Sequence, residues 1–491
     1  MTDESKPVAD EPGERPDSPA TSDGSGGSGG GLPRRDVLKL AGSATAAGTV
    51  AAVGGAVAAP TQERGDVPAN QPDRGDPAAY EDYTVRRVPE QYDTIQAAVN
   101  DAEERDLVLV GPGVYKEAVT IQDTNGLTIR GTDRNEVVLD GEFQRRNGIT
   151  AIGTNGSLED IVLENMTARN YQYNGFYWTG VDGWRGSYLT AHNNRMYGIY
   201  AFDSVNGKFE KSYASGHRDS GFYIGQCYPC HAIIDDIVSE GNAVGYSGTN
   251  AGGYLTIKNS VWRENMSGIL PNSLDSEELA PQGTARIENN VVERNNNVGA
   301  PARKLAYPAF GTGINIAGGV DNEVVGNVVR DHVNFGLIAS INISENLYKP
   351  ADNVFRENTV ERSGRADLAV GAPSGGGNRF EANEYDSSRP AGLQDGFGLL
   401  GSDIWPTLVL GKQFLQGFGE PPRGDWKAYP HPDDQPTMPD AESAPPREAV
   451  AEKAEVQYGL TPGRGPGAAQ GGEERRSEPR RGAARTDGGD R

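Results

Sequence analysis

A glycine followed by a short apolar or aromatic run returns seven times between residues 171 and 340. The successive intervals are 23, 23, 24, 23, 45 and 23 residues, and the glycines are Gly175, Gly198, Gly221, Gly245, Gly268, Gly313 and Gly336. A repeat of this length predicts a solenoid, in which each coil buries its apolar face on the next coil.

Apolar and polar side chains alternate within each run. Phe176 and Trp178 flank Tyr177, and the same order returns around Tyr200. This period of two predicts short strands, and a coil of about 23 residues built from them predicts a parallel β-helix over residues 83–390. The 45-residue interval contains two surplus stretches, which predict lateral loops at about Leu274–Gln282 and Asn296–Phe310.

Both ends of the β-helix are predicted to be covered. Thr94–Ala102 forms an amphipathic pattern, with the apolar side chains Ile95, Ala98, Val99 and Ala102 on one face, and predicts a helix over the first coil. Residues 391–428 include the apolar stretch Leu393–Phe418, which predicts a C-terminal cap. Residues 429–491 are rich in Pro, Glu and Arg and predict a disordered tail.

One column of the repeat is rich in asparagine. Asn259, Asn289 and Asn327 recur after successive strands, and this spacing predicts a ladder of stacked side-chain amides.

The N-terminal part predicts export. Residues 1–33 are acidic and then Gly/Ser-rich, which predicts a disordered leader. Arg34-Arg35 and the Ala/Gly-rich run to residue 59 resemble a twin-arginine signal, and a linker follows at 60–82. A transmembrane anchor is the alternative. We expect a secreted or cell-surface protein that is not held in the membrane once its signal is removed.

The start of the solenoid resembles secreted right-handed parallel β-helix proteins of the pectin-lyase-like type. The matching stretches are Thr94-Ile-Gln-Ala-Ala-Val99, Val110-Gly-Pro-Gly-Val-Tyr115 and Leu127-Thr-Ile-Arg-Gly131. The resemblance implies a right-handed single-stranded β-helix with an N-terminal helical cap. Pectin methylesterases, polysaccharide lyases, uronan epimerases and copper-assembly proteins share this fold. The catalytic motifs of pectin methylesterases, pectate lyases and the epimerases do not occur in this sequence, so no activity is carried over.

Composition narrows the range of partners. The chain has 491 residues, with 46 basic and 69 acidic side chains, and a net charge of -23. Such a charge argues against nucleic acid and anionic membranes as partners, and it suits a protein that works in high salt.

The outward column of the repeat predicts a binding surface for sugars. Tyr177, Tyr200 and Tyr223 would stack on successive coils, and aromatic rings with polar handles suit sugar rings. Three further polar side chains are predicted beside them: Asp203, Gln226 and Asn250. The two lateral loops would wall a groove with Asp275, Glu277, Glu278, Arg303, Lys304 and Tyr307. In the alternative, the tyrosines only stabilise the sheet.

The densest polar cluster is His217-Arg218-Asp219, and Arg195 occupies the same column as Arg218. An arginine that neutralises a carboxylate, together with a base, is what β-elimination of a uronate requires. These four residues are therefore the candidate catalytic set, with a solvated corner held by local ion pairs as the alternative.

The chain has two cysteines, Cys227 and Cys230, followed by His231. An exported protein favours a disulfide between them. The spacing also matches c-type haem attachment, and Cys227, Cys230 and His231 could contribute to a metal site that lacks a clear fourth ligand. No cofactor or metal is assigned.

Together these patterns predict an exported protein that binds or acts on a polysaccharide or cell-surface glycan. It would be either a lyase- or hydrolase-like enzyme or a non-catalytic glycan binder. A metal- or redox-linked accessory protein and a structural surface protein are the alternatives.

Overall fold

The computed structural model describes residues 79–154, 157–302, 309–395, 401–417 and 424–449. Within them the chain winds through three long sheets and visits each sheet once per coil, so that every strand pairs in parallel with its equivalents in the neighbouring coils. The predicted parallel β-helix is confirmed.

Strands are numbered in chain order. Sheet 1 contains β1 Val85–Val88, β2 Leu107–Val110, β5 Thr128–Gly131, β8 Leu158–Glu164, β11 Val181–Ser187, β14 Val205–Glu210, β17 Ala232–Asp235, β20 Gly252–Lys258, β23 Gly283–Glu288, β26 Glu323–Val325, β31 Val354–Arg356 and β34 Arg379–Glu381. Sheet 2 contains β3 Gly113–Tyr115, β6 Val137–Asp140, β9 Thr167–Arg169, β12 Thr190–His192, β15 Tyr213–Ser215, β18 Val238–Glu240, β21 Val261–Arg263, β24 Val291–Glu293, β27 Val328–Arg330, β32 Thr359–Glu361 and β35 Glu384–Tyr385. Sheet 3 contains β4 Val119–Ile121, β7 Ile149–Ile152, β10 Phe176–Thr179, β13 Ile199–Phe202, β16 Ser220–Gly225, β19 Val244–Thr249, β22 Ser267–Asn272, β25 Thr312–Ala317, β28 Phe335–Ser340, β33 Ala366–Val370 and β36 Ser388–Arg389.

The interior is a continuous apolar stack between the three sheets. Trp178, Trp184 and Phe209 are fully buried there, and the rings of Trp184 and Phe209 have centroids 4.5 Å apart. Gly207 pairs with Trp184 in the preceding coil, and a Cβ atom at this position would lie 1.8 Å from the indole ring. A residue without a side chain is therefore required to seat this tryptophan.

Buried amide ladders run along the turns between the sheets. Between sheets 1 and 2 the side-chain oxygen of each rung accepts a hydrogen bond from the backbone N–H of the rung before it, through Ser260, Asn290, Asn327, Asn358 and Asn383. Asn327 is a ladder residue, as predicted. Asn259 and Asn289 are not, because each lies one position before the actual ladder residue, Ser260 or Asn290. Asn259 and Asn289 have φ of 50° and 53° and form the left-handed bend just before the ladder residue.

The N-terminal helix α1, Ile95–Asp101, begins at Thr94, whose Oγ1 accepts a hydrogen bond from the N–H of Ala97 at 3.1 Å. Ile95, Ala98 and Val99 are buried in the main core, as the apolar pattern predicts. The carboxylate of Glu117 accepts from the N–H groups of Ile95 and Gln96 at the helix N-terminus.

The C-terminal helix α2, Ile404–Gly417, lies beside the β-helix rather than across its end. Trp405, Val409 and Leu410 pack on the outer face of sheet 3, against Phe335 and Ile338 among others. The prediction that residues 391–428 form a terminal cap is therefore wrong for the helix within them. The last coil is covered instead by the turn that precedes α2 in the chain. There Gln394 Oε1 accepts a hydrogen bond from the N–H of Asn383 and ends the amide ladder.

Residues 424–449, hereafter the strap, return along the side of the β-helix. The backbone oxygen of Tyr429 accepts from Asn193, and the N–H of Met438 donates to Asn165. The strap reaches the first coil, where Arg447 forms a β-bridge with Ala79. The prediction of disorder from residue 429 is therefore wrong for residues 429–449, because β-helix side chains bind the backbone groups of this Pro-rich segment.

The predicted leader, the twin-arginine signal, the first part of the linker and residues 450–491 lie outside the described residues. In the described part of the chain, neither helix has the length and apolar character needed to span a membrane.

Candidate functional site

The outer face of sheet 3 carries the tyrosine column that the repeat predicts. Tyr177, Tyr200 and Tyr223 pair directly across β10, β13 and β16. The rings of Tyr177 and Tyr200 are nearly parallel, with centroids 4.8 Å apart, and Tyr223 meets Tyr200 edge-on at 4.6 Å. The predicted stacking of these positions is confirmed.

These tyrosines are less open than the sequence suggests. Tyr177 and Tyr223 are only 4% and 2% exposed, whereas Tyr200 is half-buried. A fourth ring, Tyr197, is also half-buried and stacks on Tyr200 at 4.4 Å. The accessible aromatic surface is therefore the Tyr197–Tyr200 pair, and burial raises the pKa of Tyr200 well above its usual range, so its hydroxyl stays protonated.

Tyr223 is covered by the first of the two lateral loops, residues 274–282. Its hydroxyl donates to Glu277 Oε1 at 2.6 Å. A Cβ atom at Gly225 would lie 2.3 Å from the Tyr223 ring, so the glycine two residues later leaves room for the ring against the sheet. The predicted loop exists and lies beside the tyrosine column.

Two of the predicted sugar-binding residues anchor this loop instead. Asn250 is 1% exposed, and its Nδ2 donates to the backbone oxygens of Leu274, Glu277 and Glu278. Gln226 Oε1 accepts from the N–H of Glu278 at 2.8 Å. Buried amides that are committed to backbone groups cannot also bind a ligand, so the assignment of Asn250 to the substrate is wrong. The amide oxygen of Gln226 is likewise used by the loop.

A small hairpin also holds the first part of the loop. It consists of β29 Asn342–Ile343 and β30 Leu347–Tyr348, which pair antiparallel. Asp275 accepts hydrogen bonds from the Tyr348 hydroxyl and from the backbone and side chain of Asn346. These bonds lower the pKa of Asp275 to about 2, so its carboxylate is ionised and serves as a fixed clamp.

Glu277 is the unusual ionisable group at this site. The hydrogen bond from Tyr223 reaches one carboxyl oxygen, while Oε2 is buried and has no hydrogen-bond partner among the described residues. Burial, and to a smaller extent the charge of Asp219, raises the pKa of Glu277 to about 7, although the hydrogen bond from Tyr223 acts to lower it. A carboxyl group with such a pKa can give or take a proton near neutral pH.

His217 is not placed for catalysis. Its side chain is fully buried in the ladder between sheets 2 and 3, where the ring nitrogens contact the backbone of Asn194 and the oxygen of Ala191 at 3.1 to 3.3 Å. Burial lowers its pKa to about 4. The catalytic assignment of His217 is therefore wrong, because the imidazole replaces an asparagine rung and cannot reach a ligand on the surface.

The other members of the predicted catalytic set lie on the turns between sheets 2 and 3. Arg195, Arg218 and Asp219 are half-buried there, and Asp219 Oδ1 accepts from the Ser220 hydroxyl at 3.0 Å. The turn on the opposite edge of sheet 3 carries Asp203, which is exposed at a φ of 49°. Burial and the charge of Glu278 raise the pKa of Asp203. The structure thus brings Asp219, rather than His217, into the electrostatic environment of Glu277.

Cys227 and Cys230 form the predicted disulfide, with Cα atoms 4.7 Å apart, and both are buried. His231 stacks on Tyr254, with ring centroids 4.7 Å apart. Because the two sulfurs bind each other, they are not available as thiolate ligands in this state. Among the described residues no cluster of His, Cys, Asp and Glu is arranged to hold a metal ion.

The second lateral loop is described only in part. Ala300 and Ala302 pack on Ala243, Val244 and Met266. The proposed wall residues Arg303, Lys304 and Tyr307 lie outside the described residues.

Comparison with known proteins agrees with this architecture. A family model described as a right handed beta helix region matches residues 174–346. The protein is a right-handed parallel β-helix. A comparison with curated protein sequences gave no match.

Several solved structures resemble this β-helix. One is the A-module of the Azotobacter vinelandii mannuronan C-5 epimerase AlgE4, with 15% identity, 60% of this chain and 90% of that chain covered, and a TM-score of 0.45. Another is the alginate lyase from Paenibacillus sp. str. FPU-7, with 12% identity, 62% and 98% coverage, and a TM-score of 0.40. A third is the catalytic domain of a GH87 alpha-1,3-glucanase, with 11% identity, 67% and 69% coverage, and a TM-score of 0.39.

Sequence reasoning missed two features of the site. Tyr197 directly precedes a repeat glycine, where the neighbouring coils have Asn174 and Ser220, so an aromatic residue at this point was a usable signal. Glu277 was predicted only as part of a groove wall. Its contact with Tyr223 spans 54 residues in the sequence and depends on the path of an irregular loop, which no periodicity encodes.

Proposed function

We propose that this β-helix protein binds a polysaccharide along the outer face of sheet 3, beside the tyrosine column. The observation that carries the proposal is the Tyr197–Tyr200 ring pair, whose two stacked rings are half-buried beside the parallel sheet. Such rings offer an apolar surface to the faces of sugars, while their hydroxyl groups provide hydrogen bonds.

The surroundings of the ring pair support this role. Polar groups border the pair on both edges of sheet 3. Arg195 and Asp219 lie on successive turns between sheets 2 and 3, and Asp203 lies on a turn at the opposite edge. The clamped loop at Tyr223 provides a fixed wall at one end of the aromatic surface. A rigid surface of this kind binds an extended polymer without the cost of ordering itself.

Replacement of Tyr200 by alanine tests the proposal. The full chain would be screened for retention on a panel of immobilised polysaccharides, both neutral and acidic. We expect the wild type to be retained by at least one of them, and the Tyr200→Ala variant to bind that polymer about tenfold more weakly, because loss of an aromatic contact costs about 1 kcal/mol or more.

Tyr188→Ala is the matched control. Tyr188 is also half-buried, but it lies on the turn between sheets 1 and 2. Equal loss of binding in both variants, or undiminished retention of Tyr200→Ala on the bound polymer, would contradict the proposed surface. Retention of the wild type by no polysaccharide would favour a structural role instead.

A further inference from the structure

Along the axis of the β-helix, the aromatic surface of sheet 3 is closed on both sides of β13. On the preceding coil Tyr177 is 4% exposed, and on the following coil Tyr223 is 2% exposed. The 274–282 loop covers Tyr223, whose hydroxyl donates to Glu277 of that loop. A ligand that ran from coil to coil would therefore meet rings that the fold has already buried.

Along β13 the rings are accessible. Tyr197, just before this strand, and Tyr200 and Phe202 within it are all half-buried. The ring centroids of Tyr197 and Tyr200 lie 4.4 Å apart, and those of Tyr200 and Phe202 lie 6.1 Å apart. Ile199 and Ala201 alternate with the strand rings and are buried in the core. The three rings thus form a line across the β-helix, which suits a run of sugars better than a single sugar.

The end of this line next to sheet 2 is basic. Arg195 lies two residues before Tyr197, and Arg218 takes the equivalent position on the following coil. Asp219 is the one carboxylate on the two turns that carry these arginines, so guanidinium groups outnumber carboxylates there. Guanidinium groups bind carboxylates through paired hydrogen bonds, and this end of the line therefore favours an acidic group of the ligand.

The end next to sheet 1 is acidic. Asp203 directly follows β13 and is exposed. Glu278, also exposed, is held on the same edge, because its N–H donates to Gln226, which takes the position of Asp203 on the next coil. Neither the turns that carry Asp203 and Gln226 nor the 274–282 loop contains a lysine or an arginine. An acidic sugar would be repelled at this end, which therefore favours an uncharged sugar.

We propose that this face binds a heteropolysaccharide in which acidic sugars are separated by neutral ones, and that the polymer crosses sheet 3 along β13. One acidic group contacts Arg195 and Arg218, while neutral sugars stack on the three rings and reach Asp203. The inference rests on the glycan-binding function proposed above and adds the class of polymer and its direction.

The two simpler classes of polymer fit the line less well. A polymer that is acidic at every sugar places negative charge at both ends of the line, on a chain whose net charge is already -23. A neutral polymer makes no use of the two guanidinium groups. A polymer with spaced acidic sugars can satisfy the basic end without loading the acidic one.

The first test compares dissociation constants of the full chain at low ionic strength, where charge effects are largest. The polymers are hyaluronan, heparosan and gellan, which have spaced acidic sugars, their carboxyl-reduced neutral forms, and alginate and polygalacturonate, which are acidic at every sugar. We expect at least one spaced polymer to bind about tenfold more tightly than its carboxyl-reduced form and than both uronans.

Equal or tighter binding of the carboxyl-reduced form, equal or tighter binding of a uronan, or binding of none of the three spaced polymers would overturn the proposal. Each of these results leaves the proposed function intact as long as some polysaccharide is retained in a manner that depends on Tyr200. Retention of no polysaccharide at all would refute the proposed function itself.

Substitutions of the charged ends form the second test. Arg218→Gln should weaken binding of the spaced polymer about tenfold and leave binding of its carboxyl-reduced form unchanged. Arg330→Gln, half-buried on sheet 2, is the matched control and should change neither. Asp203→Asn combined with Glu278→Gln, both at exposed positions, should strengthen binding of alginate, because repulsion is removed. Unchanged alginate binding in the double variant would contradict the acidic end.

The direction of the polymer is tested at the edge of sheet 3. Phe202→Ala removes the last ring of the line and should weaken binding about tenfold. Ile152→Ala is the control, because Ile152 is also half-buried and pairs through Thr179 with Phe202, two coils away along the axis. It should leave binding unchanged. Equal losses in the two variants would show that the polymer runs along the axis and would overturn the proposed direction.

Discussion

Glu210 on sheet 1 and Glu277 on the 274–282 loop are both removed from bulk water, but the structure surrounds them differently. Glu210 is 5% exposed and forms ion pairs with Arg185 and with Lys208, whose Nζ lies 2.6 Å away. Burial opposes its ionisation, yet the charges of Arg185 and Lys208 lower its pKa to about 2. Glu277 has a tyrosine hydroxyl in place of these cations, and its pKa is about 7.

The difference separates two uses of a buried carboxyl group. A glutamate that is neutralised by two cations remains ionised and holds coils together, whereas one that has only a neutral donor remains ready to exchange a proton. The comparison therefore separates Glu277, whose pKa lies near neutral pH, from Glu210, whose carboxylate stays ionised there. The following changes to the protein test the two kinds of carboxyl environment, from the largest expected effect to the smallest.

Removal of Arg185, one of the two cations beside Glu210, should have the largest effect. Arg185→Met leaves Glu210 buried with one cation, and we expect a loss of about 3 kcal/mol in the free energy of unfolding at pH 7, measured by urea denaturation. Because the lowered pKa of Glu210 stabilises the fold only above its unfolded value, this loss should shrink as the pH falls from about 4.5 towards 2.

Lys258→Met is the control for this substitution. Lys258 and Asp235 form a pair on the same sheet with a 3.7 Å separation, and both side chains are partly exposed. Removal of this lysine should cost less than about 1 kcal/mol. Similar losses in the two variants would show that burial does not distinguish the two pairs.

A third glutamate extends the comparison to the strap. Glu164 is fully buried with Arg130, whose Nε lies 2.8 Å from the carboxylate, and the guanidinium also donates to the backbone oxygens of Ala441, Ala444 and Pro445. Deletion of residues 424–491 should lower the free energy of unfolding by about 2 kcal/mol or more, because Arg130 loses these acceptors. Deletion of residues 450–491 alone should change it little, and equal losses would show that the strap contacts contribute nothing.

Glu277→Gln should change the dependence of stability on pH. The folded-state pKa of about 7 lies above the unfolded value, so the folded protein holds the proton more tightly, and the wild type should lose stability as the pH rises from 4.5 to 7. We expect a wild-type loss of about 1 to 2 kcal/mol between pH 5 and 8 that is absent in the variant, because the side chain is half-buried and solvent screens part of the effect. Parallel curves for the two proteins would contradict the raised pKa.

The smallest effect is expected for Tyr223→Phe. The Tyr223 hydroxyl stabilises the carboxylate form of Glu277, so its removal should raise the pKa of Glu277 above that of the wild type. The carbon chemical shift of the Glu277 carboxyl group, followed against pH by NMR, measures this change. Tyr246→Phe, on the next coil but pointing into the core, should leave the pKa of Glu277 unchanged. A lowered pKa in Tyr223→Phe would show that the hydroxyl acts in the opposite sense.

The fold could be predicted from the sequence because the residue patterns that determine it repeat once per coil. The glycine intervals give the register of β10, β13 and β16, and the alternation around Tyr177 and Tyr200 gives the inward and outward faces. The helix at Thr94 follows from a local cap and an apolar face. Each of these signals repeats or lies within a few residues in the sequence.

The candidate site could be predicted only in part, because burial depends on segments that do not repeat. His217 is a polar residue at a turn, and only the ladder geometry shows that its ring is inside the stack. Asn250 looks like a surface residue until the 274–282 loop folds over it. The strap is rich in Pro and Asp, and its order comes from acceptors that its backbone offers to Arg130 and Arg134, some 300 residues away.

The bridge between Ala79 and Arg447 has a consequence for how the molecule unfolds. In most solenoids each coil contacts only its neighbours, so the terminal coils fray independently of the rest. Here Tyr80 also donates its backbone N–H to Pro446 at 3.2 Å, so the first coil is tied to a segment that runs back along the stack. Opening of the first coil must break its contacts with the strap, so we expect this coil to unfold together with the coils that the strap contacts rather than to fray alone.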